Sequence, residues 1–130
     1  MVYFISGHRN FTKEEFNEFY VPRLKEAILK EGSTFVVGDY WGVDEMAQQW
    51  LMNNLPDNEH CRITVYHMYK NPRVKCSELF NTSGGYRSDV DRDSAMTRNS
   101  DIDIAFIHCG RWTSGTAQNI LRRFEVERKN

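Results

Sequence analysis

The chain has 130 residues, of which 40% are hydrophobic and 27% charged, with a formal net charge of −1. That length favours one domain over residues 1–130, large enough to bury a core without cross-links. The balance of 17 Lys and Arg against 18 Asp and Glu argues against a nucleic-acid partner, which usually calls for a basic excess, but leaves room for a small anion held by local donors.

Val2 to Ser6 is a short apolar run that stops at Ser6-Gly7 and reads as a buried strand. It is too short for a membrane span and has no basic region before it, and no other run approaches that length, so no membrane is expected. Thr12-Lys13-Glu14-Glu15 has the form of a capping box, with Thr12 as the cap and Glu15 three residues on. Phe16, Phe19, Tyr20, Leu24, Ala27 and Ile28 follow at helical spacing; Pro22 threatens a kink or a late start, and Gly32 closes the segment. Thr34 to Val37 reads as a second buried strand, ending at Gly38. Val43, Met46, Ala47, Trp50 and Leu51 form the stripe of a second helix, and Pro56 follows it. Arg62 to Met68 alternates weakly as a third strand. Residues 70 to 88 hold Asn71-Pro72, Asn81, Ser83, Gly84 and Gly85, which predict a long irregular loop of a kind that is often functional. Asp89 to Asn99 predicts a short helix and Ile102 to His108 a fourth strand. Ser114-Gly115-Thr116 then opens a last helix with Ile120, Leu121 and Phe124 facing inward.

This alternation predicts a small Rossmann-like three-layer α/β sandwich with a mainly parallel sheet of about four to five strands. Such sheets bind ligands at the carboxyl ends of their strands, beside the point where strand order reverses. After the first strand come Ser6, Gly7, His8 and Arg9. The glycine lets backbone N–H groups approach an anion and Arg9 can fork onto a phosphate or carboxylate; a plain tight turn is the alternative. After the second strand, Gly38 and Gly42 bracket a loop that delivers a helix N-terminus, an end suited to phosphate. Asp44 there reads either as a cap or as a partner for a ribose hydroxyl. After the fourth strand, Ser114, Gly115 and Thr116 offer hydroxyl and backbone donors, or again a simple cap. In the acidic and basic run before it, Arg87 or Arg92 can reach a phosphate and Asp93 a sugar, unless the run is only a solvated, salt-bridged face. Trp41 and Trp112 lie in the two loops, where each can stack on a base or pack beneath its loop. The four histidines share no ligand spacing, so neither a metal nor a cofactor is expected. The three cysteines form no C-x-x-C pair and read as reduced thiols of a cytoplasmic protein.

With these turns in order, the chain resembles the SLOG superfamily, and within it the YAcAr branch. The superfamily includes the Lonely Guy phosphoribohydrolases, the DprA DNA-processing proteins and relatives of the nucleoside 2-deoxyribosyltransferases. Ser6-Gly7-His8-Arg9 resembles the first-strand G-x-R turn. The segment from Val36 to Ala47 resembles G-G-A-x-G-A-D-x-x-A. Arg92-Asp93-Ser94-Ala95-Met96, the strand from Asp101 to Phe106 and Ser114-Gly115-Thr116 resemble R-N-x-x-M, an apolar strand and a G-T helix start. The resemblance implies a nucleotide-binding protein and cleavage or transfer at the N-glycosidic bond of a nucleoside 5′-monophosphate or related nucleotide. It implies that Ser6, Gly7, His8, Arg9, Gly38, Gly42, Arg92, Asp101, Ser114, Gly115, Thr116 and Asn119 hold the ligand. Asp93 and Asp101 resemble the aspartate pair ahead of the G-T turn in the deoxyribosyltransferases. Lonely Guy enzymes and deoxyribosyltransferases carry a glutamate three positions after the G-T threonine, where this chain has Asn119. The catalytic carboxylate is then expected from Asp44, Glu45 or Asp93, and without one the chain is a non-catalytic sensor or sponge for a signalling nucleotide. A small sheet with open edges also predicts a homo-oligomer.

Overall fold

The computed structural model describes residues 1–73, 80–108 and 114–129. Five strands, β1 (Val2–Ser6), β2 (Thr34–Gly38), β3 (Ile63–Met68), β4 (Asn81–Tyr86) and β5 (Ile102–Ala105), form one sheet in the order β4-β3-β2-β1-β5. Every neighbouring pair is parallel. Helices α1 (Lys13–Ile28) and α2 (Val43–Asn54) pack on one face, and α3 (Asp89–Arg98) and α4 (Gly115–Lys129) on the other. The small Rossmann-like three-layer sandwich is therefore present.

The period of two along the strands divides the core. Tyr3, Ile5, Phe35, Val37, Ile63, Val65 and Ile104 face α1 and α2, where Phe16, Tyr20, Leu24, Val43, Ala47 and Leu51 meet them. Phe4, Val36 and Tyr66 face the other way, onto Ala95 and Met96 of α3. The same alternation turns Ser6 toward the α3 and α4 side. Among the described residues no helix is long and apolar enough to cross a membrane.

Several expectations change. Asn81–Tyr86 is a strand, not part of an irregular loop; it pairs with β3 at the sheet edge, with a register shift between Tyr66 and Met68. Its sequence, Asn-Thr-Ser-Gly-Gly-Tyr, has no apolar alternation because its residues are exposed or half-buried. Gly84 is needed there because a Cβ would collide with the His67 ring. Pro22 lies inside α1 without ending it; buried Tyr20 and Leu24 on either side hold the helix on the sheet. The fourth predicted strand stops at Ala105 rather than at His108. On α4 the expected inward residues Leu121 and Phe124 are 52% and 58% exposed, and Thr116, Asn119 and Arg123 are buried instead. That face is polar because it meets polar partners: Arg123 donates to the Ser100 carbonyl at 2.8 Å and to Asp103 Oδ1 at 3.1 Å.

Candidate functional site

The chain leaves β1 toward β2, while β5 lies on the other side of β1, so strand order reverses between β1 and β5. Helices splay apart at such a point and leave a crevice. A cavity of about 250 Å3 opens there, at the carboxyl ends of the strands. Its floor is Phe4, Ser6 and Met96, and the residues after β1, the start of α2, α3 and the start of α4 wall it.

Tyr20 of α1 fixes the ends of two neighbouring strands, β1 and the edge strand β5. Its hydroxyl donates to the Ser6 carbonyl at 2.6 Å and accepts the Phe106 N–H at 3.1 Å. Gly7 can turn the chain there because it has no side chain; a Cβ would strike the Tyr20 hydroxyl and lie 2.5 Å from Val43 Cγ2. Gly42, at φ +85, performs the same service one loop away, packed on the backbone of Arg9. His8 is buried, and its Nε2 accepts the His108 N–H at 2.9 Å. The His108 ring packs against both His8, 4.9 Å away, and Phe11, 4.2 Å away, which also touch each other at 5.7 Å. Its Nε2 meets Glu15 Oε2 at 3.1 Å, so the glutamate of the expected capping box also anchors this wall.

Ser6 Oγ is the feature that stands out. It is buried on the cavity floor and has no hydrogen-bond partner among the described residues. Native interiors rarely leave such a group unpaired without a purpose. The same cavity is lined by Arg9, which is exposed and only loosely tied to the Tyr40 hydroxyl at 3.4 Å, and by the first turn of α4. There Ser114 Oγ accepts the Ala117 N–H at 3.2 Å, as a cap does, while Gly115 and Thr116 line the cavity. First-turn N–H groups lack helical partners and carry partial positive charge.

The opposite wall is a buried charge cluster. Arg92 of α3 donates from Nη1 to Asp39 Oδ1 at 2.8 Å, and from Nε and Nη2 to Asp93 Oδ1 at 3.1 and 2.9 Å. Arg73 binds Asp39 through its backbone N–H and its guanidinium, reaches Asp89 at 2.9 Å, and lies 4.7 Å over the Tyr40 ring. Burial alone would raise the Asp39 carboxyl, but these arginines hold it below its ordinary value. Burial keeps Asp93 above the usual carboxylate range, against the pull of Arg92 and a hydrogen bond to Asn119. Asp44, in the first turn of α2, is not a cap: its Oδ2 accepts the Tyr40 N–H at 3.1 Å and its carboxyl lines the cavity. Burial pushes it up to about 7, although Arg92 opposes the shift. Among the described residues no group of three His, Cys, Asp or Glu is placed to hold a metal ion.

Of the residues expected at the site, Ser6, Gly7, His8, Arg9, Asp44, Arg92, Asp93, Ser114, Gly115, Thr116 and Asn119 meet around this cavity. Gly38 and Gly42 support it from behind. Arg92 is not free for a phosphate, since carboxylates occupy it. Arg87 and Glu45 do not line the cavity. Asp101 stands at the far end of the sheet, where its carboxylate accepts the Val2 N–H at 2.7 Å and its N–H donates to the Val2 carbonyl; it ties β5 to β1. Trp112 lies outside the described residues, as do Cys76 and Cys109. Sequence reasoning missed Asp39, Arg73 and Asp89, whose only signal was the position of Asp39 directly after a strand-end glycine. No protein-family model, curated protein or solved structure gives a significant match to this chain.

Proposed function

We propose that the cavity binds a nucleoside 5′-monophosphate or related nucleotide and that the chain cleaves or transfers its N-glycosidic bond. The observation that carries the binding reading is the unpartnered, buried Ser6 Oγ, in a cavity that Arg9 and the first turn of α4 also line. A phosphate oxygen there would satisfy the hydroxyl and meet the helix N-terminus together. At about 250 Å3 the cavity is smaller than most small-molecule pockets, roughly 300–1,000 Å3. It suits a sugar phosphate, leaving the base at the mouth near Tyr40 and half-exposed Trp41. Asp93 and Asp44 then lie along the sugar. In hydrolysis the C1′–N bond breaks, water adds its oxygen to C1′, and the base leaves with a proton. The transition state is oxocarbenium-like, and a carboxylate beside C1′ stabilises it.

The test is chromatography of a nucleotide panel after incubation with the protein. Release of a free base, abolished by Asp93→Asn or Asp44→Asn while binding persists, supports the enzyme. The second reading, a nucleotide sensor or sponge, draws on Asn119: the position holds an amide, and it is hydrogen-bonded to Asp93. An intact panel with one nucleotide retained by the protein favours that reading, and Ser6→Ala or Arg9→Ala should then lower retention. The same proposal includes a homo-oligomer in the cytoplasm. Its support is the open edges of β4 and β5 and the exposed apolar Leu121 and Phe124 of α4, which covers β5.

A further inference from the structure

We propose that Asp44 enters ligand binding as a neutral carboxylic acid that donates a hydrogen bond to an acceptor oxygen of the ligand, so that binding is coupled to one proton. The inference rests on the reading of the cavity as a nucleotide site.

Its basis is a mismatch of charges around Gly38. A Cβ on Gly38 would lie 2.6 Å from Asp44 Oδ2 and 2.9 Å from Arg92 Cζ, so the carboxyl and the guanidinium crowd one spot at the end of β2. Even so, they form no ion pair among the described residues. Arg92 gives its N–H groups to Asp39 and Asp93, with a further approach to Asp89 at 3.3 Å. Arg73, the second cation, gives its own to Asp39 and Asp89. Two guanidinium groups thus serve three carboxylates, and Asp44 is a fourth in the same volume. Its one hydrogen bond is the backbone N–H of Tyr40. A buried carboxylate without a counter-ion takes up a proton instead.

The surroundings agree from every side. Asp39 faces Asp44 from the end of β2, and Arg92 and Asp93 from α3. Tyr20 of α1 stays protonated because of burial, to which a charge on Asp44 adds. From the turn after β1 come His8 and the exposed Arg9, and from α4 the uncharged Thr116 and Asn119, with Arg122 donating to Asn119 and acting on Asp93. Among the described residues Arg92 is the cation that acts on Asp44, and it is already neutralised by Asp39 and Asp93. Burial accordingly places the Asp44 titration near neutrality, at about 7. A neutral carboxyl keeps one O–H to donate. Ionised, the same group would repel a phosphate.

The sign follows. Affinity for an anionic, acceptor-bearing ligand is constant while Asp44 is neutral and falls up to about tenfold per pH unit once it ionises. Asp44→Asn keeps a donor in nearly the same shape and cannot titrate. The experiment is calorimetric titration of wild type and Asp44→Asn with adenosine 5′-monophosphate and with ribose 5-phosphate, from about pH 5.5 to about pH 8.5. The second ionisation of the phosphate enters both proteins alike and cancels in the comparison. The expected result is equal affinity within about threefold at the acid end, and a wild-type loss of about tenfold or more at the alkaline end that the variant lacks. Parallel profiles, or a variant that binds at no pH while wild type does, overturn the proposal. If neither protein binds either probe at any pH, the nucleotide reading fails on its own. The Asp44 carboxyl is then followed by carbon NMR in the free protein and identified by its loss in Asp44→Asn. Titration near neutrality upholds the neutral acid, and titration in the ordinary carboxylate range overturns it.

Discussion

Asp44 shows how one residue type takes opposite roles within one cavity wall. Asp39 is held ionised by two arginines, whereas Asp44, in the same cluster, has only a backbone N–H among the described residues. The difference sets a stability prediction. Burial raises the folded Asp44 carboxyl to about 7, while the unfolded chain holds it near its ordinary value of 3.8. The folded state therefore binds the proton more tightly. The stabilisation from neutral Asp44 is complete below the unfolded value, is lost progressively as pH rises between the two values, and levels off above about 7. Across that window wild type should lose up to about 4 kcal/mol relative to Asp44→Asn, by urea unfolding at a series of pH values. A constant difference between the two proteins would show that Asp44 ionises as freely folded as unfolded. Such a buried cost is of the kind that persists at sites of function.

At the scale of elements, the site depends on how α1 grips the ends of β1 and β5 and α3 the end of β2. Thr12 and Glu15 form the capping box that the sequence predicts, with Glu15 N–H to Thr12 Oγ1 at 3.1 Å and Thr12 N–H to Glu15 Oε1 at 2.9 Å. One and a half turns on from Glu15, Tyr20 bridges β1 and β5 through a single hydroxyl. Tyr20→Phe keeps the ring contacts with Phe16 and Phe106 and removes only the bridge. It leaves the Ser6 carbonyl and the Phe106 N–H unsatisfied, which should cost about 1–3 kcal/mol in denaturant unfolding. Because those groups frame the cavity floor, nucleotide retention should fall as well. Unchanged stability would mean that water replaces the hydroxyl. Phe16, Tyr20, Leu24 and Ala27 were legible as the buried stripe of α1 from helical spacing, whereas Phe19 in the same stripe is 41% exposed. The inward face of α4 was not legible, since spacing finds apolar residues and this face holds only Ala117 beside polar Thr116, Asn119 and Arg123.

For the whole molecule, the all-parallel sheet forces the functional loops to one edge, because every strand ends on the same side. The turns after β1 and β2 and the start of α4 thus share a cavity although they are far apart in the chain. Among the described residues the sheet is left open at β4 and at β5. β4 is blunted by polar residues and two glycines, which disfavours edge pairing there. The proposed self-association therefore belongs at the β5 side, where Leu121 and Phe124 of α4 are exposed beside the strand. Light scattering should give a dimer or larger species for wild type and a smaller one for Leu121→Glu with Phe124→Glu. A monomer in both cases removes the oligomer from the proposal.

The local signals in the sequence determined four of the strands, the four α-helices and the glycine turns that end β1 and β2, but not the 3-10 turn at Asp57–Arg62. Each of these depends on neighbours a few residues away: an apolar run, a helical stripe, a cap. The tertiary structure alone decided which carboxylates share Arg92, that β4 is a strand, and that Asp101 serves the opposite end of the sheet. The ion pair between Arg92 and Asp39 spans 53 residues of sequence, and no local pattern marks it. It exists because α3 crosses the sheet to lie over the end of β2, and that crossing is fixed by the burial of Ala95 and Met96 on Phe4 and Val36. Burial then selects which carboxyl stays charged, a competition settled by distance in the folded chain and not by residue type.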